Sequence, residues 1–224
     1  MRKILPLIAL TLILTACGGS KIVSFKVTFD TKDETRVTEL KAAIGRDIEG
    51  RLAAKKQTLS KLTTRQDGDA LLVVAAVSDD EAVQLLKTGL TTPLTMSVMK
   101  EVGAGQGDIV SEKYGEFKET GIETKHFDWV TAGSVSTDTG VTKGSVLLQF
   151  TKDGQTQLKK VFAANKGSVI AIFMRGQLMS KKLVDAKDKD QPSIAIDGIP
   201  NAELAAAFAD DVNVGLHTTF TALP

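Results

Sequence analysis

His126 and His217 are the first places to look for chemistry in this 224-residue chain, which has no third histidine. An imidazole beside a carboxylate is the usual start of a general base or a metal ligand set. His126-Phe127-Asp128 places such a pair on one short stretch, while His217 stands far downstream in what reads as the last strand. Zinc takes four ligands from cysteine, histidine and carboxylate side chains. Two histidines and one cysteine are a thin supply, so no metal, no cofactor and no catalytic residue is expected. A catalytic role would need a cleft joining His126 or His217 to a carboxylate. Asp188 and Asp190 could begin a calcium loop, but the central glycine and distal glutamate of such a loop are missing. Residues 185–190 therefore read as a solvated turn. Gly103-Ala104-Gly105-Gln106-Gly107 has the glycine density of a phosphate loop without a strong helix after it. A hinge at Gly103, Gly105 and Gly107, or a plain flexible loop, is the better reading. Asp79, Asp80 and Glu81 suit a helix N-terminus. Arg175, Lys181 and Lys182 fall on one hairpin, where they form either a binding face for acidic chains or lipid headgroups, or a wet surface.

Cys17 is the remaining reactive group. Arg2 and Lys3 precede an apolar stretch over residues 4–14, too short for a bilayer core of ~30 Å and suited to a secretory leader. The stretch ends in Leu14-Thr15-Ala16-Cys17, which resembles the lipobox of bacterial lipoproteins. That resemblance implies cleavage after residue 16 and a diacylglyceryl thioether on Cys17. An exported chain with one cysteine has no intramolecular disulfide to make, and lipidation would account for the thiol. Several acyl chains at ~0.8 kcal/mol per buried CH₂ make such an anchor permanent. Residues 17–21 form the tether, which at ~3.5 Å per extended residue holds the folded part close to the membrane. The expected location is the extracytoplasmic side of the cell membrane or outer membrane.

Loss of Arg2 and Lys3 with the leader takes the 28 basic side chains to 26, against 27 acidic ones. A balance this even suggests neither a nucleic-acid partner nor an extended electrostatic membrane patch. The roughly 208 residues left can bury a core as one large domain or two small lobes.

The positioning elements follow from periodicity. Residues 22–29 read as a strand, and 33–56 as a long helix with Val37, Leu40, Ile44, Ile48 and Leu52 on one face, capped by Thr31 or Asp33. Residues 59–64 meet Asp67-Gly68-Asp69, a hairpin signal. Residues 70–77 form a strand apolar enough to be buried on both faces. Ser78 is a candidate N-cap for a helix to Lys87, and 94–102 is a strand. Residues 103–145 are rich in glycine, threonine and serine and show no long periodic run. Beyond them come a strand (146–150), a helix (153–166) using Leu158, Val161 and Phe162, a hairpin (169–184) and a short strand (193–196). A helix follows from Asn201 to Val212, with Leu204, Ala205, Phe208 and Val212 on one side and Gly215 as its stop, then a final strand (216–223). The expected class is α+β: a ferredoxin-like half-open sandwich with an inserted α+β subdomain.

These segments resemble the first periplasmic domain of SecD, a subunit of the SecDF protein-export complex. The best stretch is VLLQFTKDGQTQLKKVFAANKG (146–167) followed by the hairpin SVIAIFMRGQLMSKKLV (168–184). Arg175 stands where SecD usually has the Asp of Asp-Gly-Gln, and Lys181-Lys182 replaces Ala-Pro. Residues 40–52, TTRQDGDALLVVAAVSDDEAVQLL (63–86) and the Ala222-Leu223-Pro224 end resemble SecD in the same order. The Gly-Leu-Asp-Leu-x-Gly-Gly opening of SecD is absent; residues 22–30 read IVSFKVTFD. The resemblance implies a base (22–102 with 199–224) and a mobile head (103–198) that bind emerging unfolded chains; the transmembrane helices through which SecD uses the proton gradient have no counterpart here, so no motor is expected. It implies a non-enzymatic helper of export or folding, with unfolded secretory polypeptides, the Sec translocon or envelope proteins as partners. The alternative is a structural lipoprotein of an envelope complex that reuses the fold.

Overall fold

The computed structural model describes residues 20–136, 140 and 142–224. The leader, Cys17 and most of the tether lie outside the described residues. The chain runs β1 (Lys21–Phe29), α1 (Glu34–Ala54), β2 (Leu59–Asp67), β3 (Ala70–Val77), α2 (Asp80–Thr91), β4 (Met96–Val102), β5 (Ile109–Ser111) and β6 (Gly115–Glu123). It continues through β7 (Phe127–Ser136), β8 (Thr142–Phe150), α3 (Lys152–Ala164), β9 (Val169–Met174), β10 (Gln177–Leu183), β11 (Ser193–Ile199), α4 (Ala202–His217) and β12 (Thr218–Ala222). The class is α+β, as expected. Among the described residues no helix is long and apolar enough to cross a membrane.

Three antiparallel sheets are built from these strands. The first has the order β12-β1-β3-β2. Val23, Phe25 and Val27 of β1 alternate inward and pack with Leu40, Ile44, Ile48 and Leu52 of α1 and with Leu86 and Leu90 of α2. Their neighbours Ile22, Lys26 and Thr28 are exposed on the opposite face, so this sheet is covered by helices on one side. Period-2 alternation against a helix stripe of period 3.6 is what sets that face. The α1 cap is Asp33, whose Oδ1 accepts from the N–H groups of Thr35 and Arg36 at 2.9 and 3.1 Å. The α2 cap is Asp79 rather than Ser78: its Oδ1 accepts from Ala82 N–H at 2.8 Å, while the Ser78 hydroxyl turns to Gln57. The Asp79 carboxylate reaches one bond further than a serine hydroxyl and starts one residue nearer the free amides.

The second sheet has the order β10-β9-β4-β6-β5 and the third β11-β8-β7. Residues 94–102, read as a strand, give β4, which lies between β9 and β6 in the second sheet, and β12 takes the edge beside β1 in the first. One core joins these two sheets to α3 and α4, through Val98, Ile122, Leu148, Leu158, Phe162, Ile172 and Val212 among others. Residues 103–145, which show no periodic run, contain β5, β6, β7 and the start of β8.

The C-terminal helix differs from expectation at both ends of its apolar stripe. Asn201 caps it, with Oδ1 accepting from Leu204 N–H at 2.8 Å. The helix runs past Val212 and Gly215 to His217, so His217 belongs to its last turn and not to a strand. Gly215 is not its stop: a side chain there would meet Leu94 at 2.9 Å, and the glycine allows helix and loop to touch. Leu204 is 51% exposed, and the buried side uses Ala205, Ala209, Val212 and Asn213.

Candidate functional site

Helix α4 lies beside β7, and side chains from its last two turns fill hydrogen-bonding positions along the strand's outer edge. Asn213 is 6% exposed, and its Oδ1 accepts from Val130 N–H while its Nδ2 donates to Val130 C=O, both at 2.8 Å. This is the pattern a neighbouring strand would make, supplied by one amide side chain. His217 Nε2 contacts the Asp128 carbonyl oxygen, and its Nδ1 lies 2.9 Å from Asp30 Oδ1. Both partners are acceptor oxygens, and the nitrogen that carries the proton donates to its own neighbour. The ring also lies 5.2 Å from that of Trp129.

The same end of β7 is held by α1. Arg36 donates to both carboxylate oxygens of Asp128, at 3.0 and 2.9 Å, and its guanidinium sits 4.9 Å from the Trp129 ring centre. A bidentate fork over an aromatic face fixes both groups. The Arg36 hydrogen bonds hold the Asp128 carboxyl below the usual aspartate range. Around them lies a polar cleft of about 590 Å³, lined by Asp30, Lys32, Arg36, Lys125, Asp128 and His217 among others. A histidine and carboxylates do share a cleft here. Both ring nitrogens of His217 nevertheless lie against protein oxygens, those of Asp30 and the Asp128 carbonyl. His126 Nδ1 accepts from Glu123 N–H at 3.0 Å, and its Nε2 lies 3.4 Å from Asp153 Oδ2. Among the described residues no group of three His, Cys, Asp or Glu side chains is placed to hold a metal.

Above this cluster a second groove, about 210 Å³, opens between α1, α4 and β7. Its walls are mostly small or apolar: Leu40, Ala43, Trp129, Ala132, Ala206 and Ala209. The Arg46–Asp210 pair, with bonds of 2.6 and 2.9 Å, ties α1 to α4 at its side.

The hairpin cations are placed apart. Arg175 sits at the β9–β10 corner with φ +49 and donates to both oxygens of Asp211, at 2.6 and 2.9 Å. Asp211 also accepts from Arg51, which in turn donates to Asp47 Oδ2 at 2.8 Å and to the Gly89 carbonyl at 3.1 Å. This network joins α1, the end of α2, α4 and the hairpin. Lys181 pairs with Glu101 at 2.7 Å and Lys182 with the buried Asp188 at 2.9 Å. Adjacent strand residues point to opposite faces, so the two lysines do not share one. Asp188 Oδ2 also accepts from Asp185 N–H at 2.8 Å, which closes that turn.

The Gly103, Gly105 and Gly107 loop joins β4 to β5 within one sheet. The Glu116 carboxylate accepts from the N–H groups of Gly105, Gln106 and Gly107 at 2.8 to 3.0 Å. These bonds, that of Gly105 first, hold Glu116 below the ordinary glutamate range. The loop is an anion nest occupied by the protein's own side chain.

Sequence reasoning did not find Asn213, Arg36 or the β7 edge. A polar pair four residues apart, Asn213 and His217, on a helix face otherwise made of Ala205, Ala209 and Val212 is the signal that would have shown them.

The fold is thus an α+β arrangement of three antiparallel sheets with helices packed between and upon them. Solved structures with a similar course of chain include those of SecDF. SecDF in its super-membrane-facing form matches over 92% of this chain at 15% identity and a TM-score of 0.49. SecDF from Thermus thermophilus, described as a translocon-associated membrane protein, matches over 92% at 16% identity and a TM-score of 0.47. A third structure, of a membrane component SecDF "that enhances protein export", matches over 90% of this chain and 98% of its own, at 13% identity and a TM-score of 0.47. The present chain spans 30% of the length of the first two. No protein-family model and no curated protein sequence matches the chain.

Proposed function

We propose that this chain is a non-enzymatic, lipid-anchored SecD-like module that binds unfolded polypeptide on the extracytoplasmic side of a membrane and so assists protein export or folding. The observation that carries the reading is the set of open strand edges. Strand β2 is nine residues long, forms the edge of its sheet, and is exposed at seven positions. Strand β10 and the outer half of β7 are edges of the other two sheets. An extended chain pairs with such an edge through main-chain bonds and makes little demand on sequence. The leader and Leu14-Thr15-Ala16-Cys17 support the anchor. The SecD-like order of residues 146–184, with the flanking segments, supports the process.

Photo-crosslinking in cells tests this directly. A crosslinking side chain at Thr63 on β2 or Ser134 on β7 is expected to capture a stalled secretory precursor, and Cys17→Ser is expected to reduce capture. Absence of precursor crosslinks from every edge position would contradict the reading.

A further inference from the structure

The outer edge of β7 is only partly filled by side chains of α4. In an antiparallel pair, alternate residues turn N–H and C=O toward the partner strand and the rest turn them away. β7 pairs with β8 on one side only. Val130 turns away from β8, as its two bonds to Asn213 show. Asp128 C=O is likewise turned outward, to His217. Ala132, two residues after Val130, has the same orientation.

Four residues of helix advance about 6 Å and two residues of strand about 6.6 Å, so α4 and β7 remain in step. His217 meets Asp128, Asn213 meets Val130, and the next rung sets Ala209 against Ala132. Alanine has no group to offer, and among the described residues no side chain or loop bonds the outward N–H and C=O of Ala132. The 210 Å³ groove opens at this rung, with Ala132 and Ala209 both in its wall and Leu40, Ala43 and Ala206 around them.

We infer that Ala132 is the docking rung for an extended segment of another polypeptide. The N–H and C=O of one incoming residue take the place that the Asn213 amide takes at Val130. Its neighbouring small side chain enters the alanine-lined groove. The main-chain pairing selects an extended chain, because the N–H and C=O groups of a helix are already used internally. The assignment rests on the proposed binding of unfolded polypeptide and gives that binding an address.

The test uses the full chain and fluorescein-labelled, reduced and carboxymethylated α-lactalbumin as a permanently unfolded probe. Ala132→Pro removes the outward N–H without removing a bond to β8, a position at which an edge strand tolerates proline. Ala209→Asn supplies the missing amide and closes the rung from within. Each is expected to weaken probe binding about tenfold or more, with the far-UV spectrum unchanged. If either variant fails to fold, the wild-type amide resonance of Ala132 decides, since the probe is expected to shift it more than those of Thr131 or Gly133. Wild-type affinity in folded variants, or an unmoved Ala132 resonance in the presence of bound probe, overturns this address and leaves polypeptide binding standing. No binding of the probe by the wild type overturns both.

Discussion

Asp47 shows how single residues set the response of this protein to pH. It is 8% exposed, and burial is the largest influence on its carboxyl, pushing it up to about 6 against the pull of Arg51. A carboxyl raised in the folded state favours folding fully below the ordinary aspartate value near 3.8, and that contribution is lost as pH rises through about 6. Asp47→Asn keeps an acceptor for Arg51 and removes the titration. In urea unfolding from pH 4 to pH 7, the wild type is expected to lose about 1–3 kcal/mol relative to Asp47→Asn. A constant difference across that range would contradict the assignment. Arg175 is the other costly residue of the network. A non-glycine side chain at φ +49 is disfavoured by roughly 1–2 kcal/mol, and the fork to Asp211 offsets it.

Among the elements, those with a strong apolar period were legible and those without were not. α1 shows Leu40, Ile44, Ile48 and Leu52 at four-residue steps, and all four are buried. β3 was legible as an apolar strand but not as one buried on both faces: the helices cover Val73, Ala75 and Val77, while Leu72 and Val74 opposite are only half-buried. β7 was illegible because only Phe127 and Val130 of its ten residues are buried, and its outer half is polar and exposed. β4 was legible as a strand, and its partners were not. Its alternation suits any sheet, and nothing local distinguishes pairing with β9 and β6 from pairing with β1. The candidate site fared worse, since its donors and acceptors are main-chain groups and two polar residues on a buried helix face. One contact between elements is narrow enough to test. A side chain at Gly144 of β8 would lie 2.2 Å from the Asn201 carbonyl and 2.8 Å from Ala205, at the start of α4. Gly144→Ala is expected to destabilise the fold by about 2–3 kcal/mol in thermal or urea unfolding. A loss under half that size would mean that α4 docks more loosely on β8 than this packing requires.

At the scale of the whole molecule, three sheets share helices but not strands, and each keeps an open edge. α4 is the element that touches most of this arrangement: α1, β7, β8, β11 and β12. It covers one part of the β7 edge with His217 and Asn213 and leaves the next part open at Ala132. The lipid anchor proposed at Cys17 would keep those edges near a membrane surface. Hydrogen exchange of the full chain, with and without a saturating unfolded polypeptide, tests this account most directly. Added protection is expected at outward edge amides, with the peptide spanning residues 130–136 of β7 prominent and the interior of α1 and β3 unchanged. No added protection at any strand edge, or protection spread evenly over helices and sheets, would contradict it.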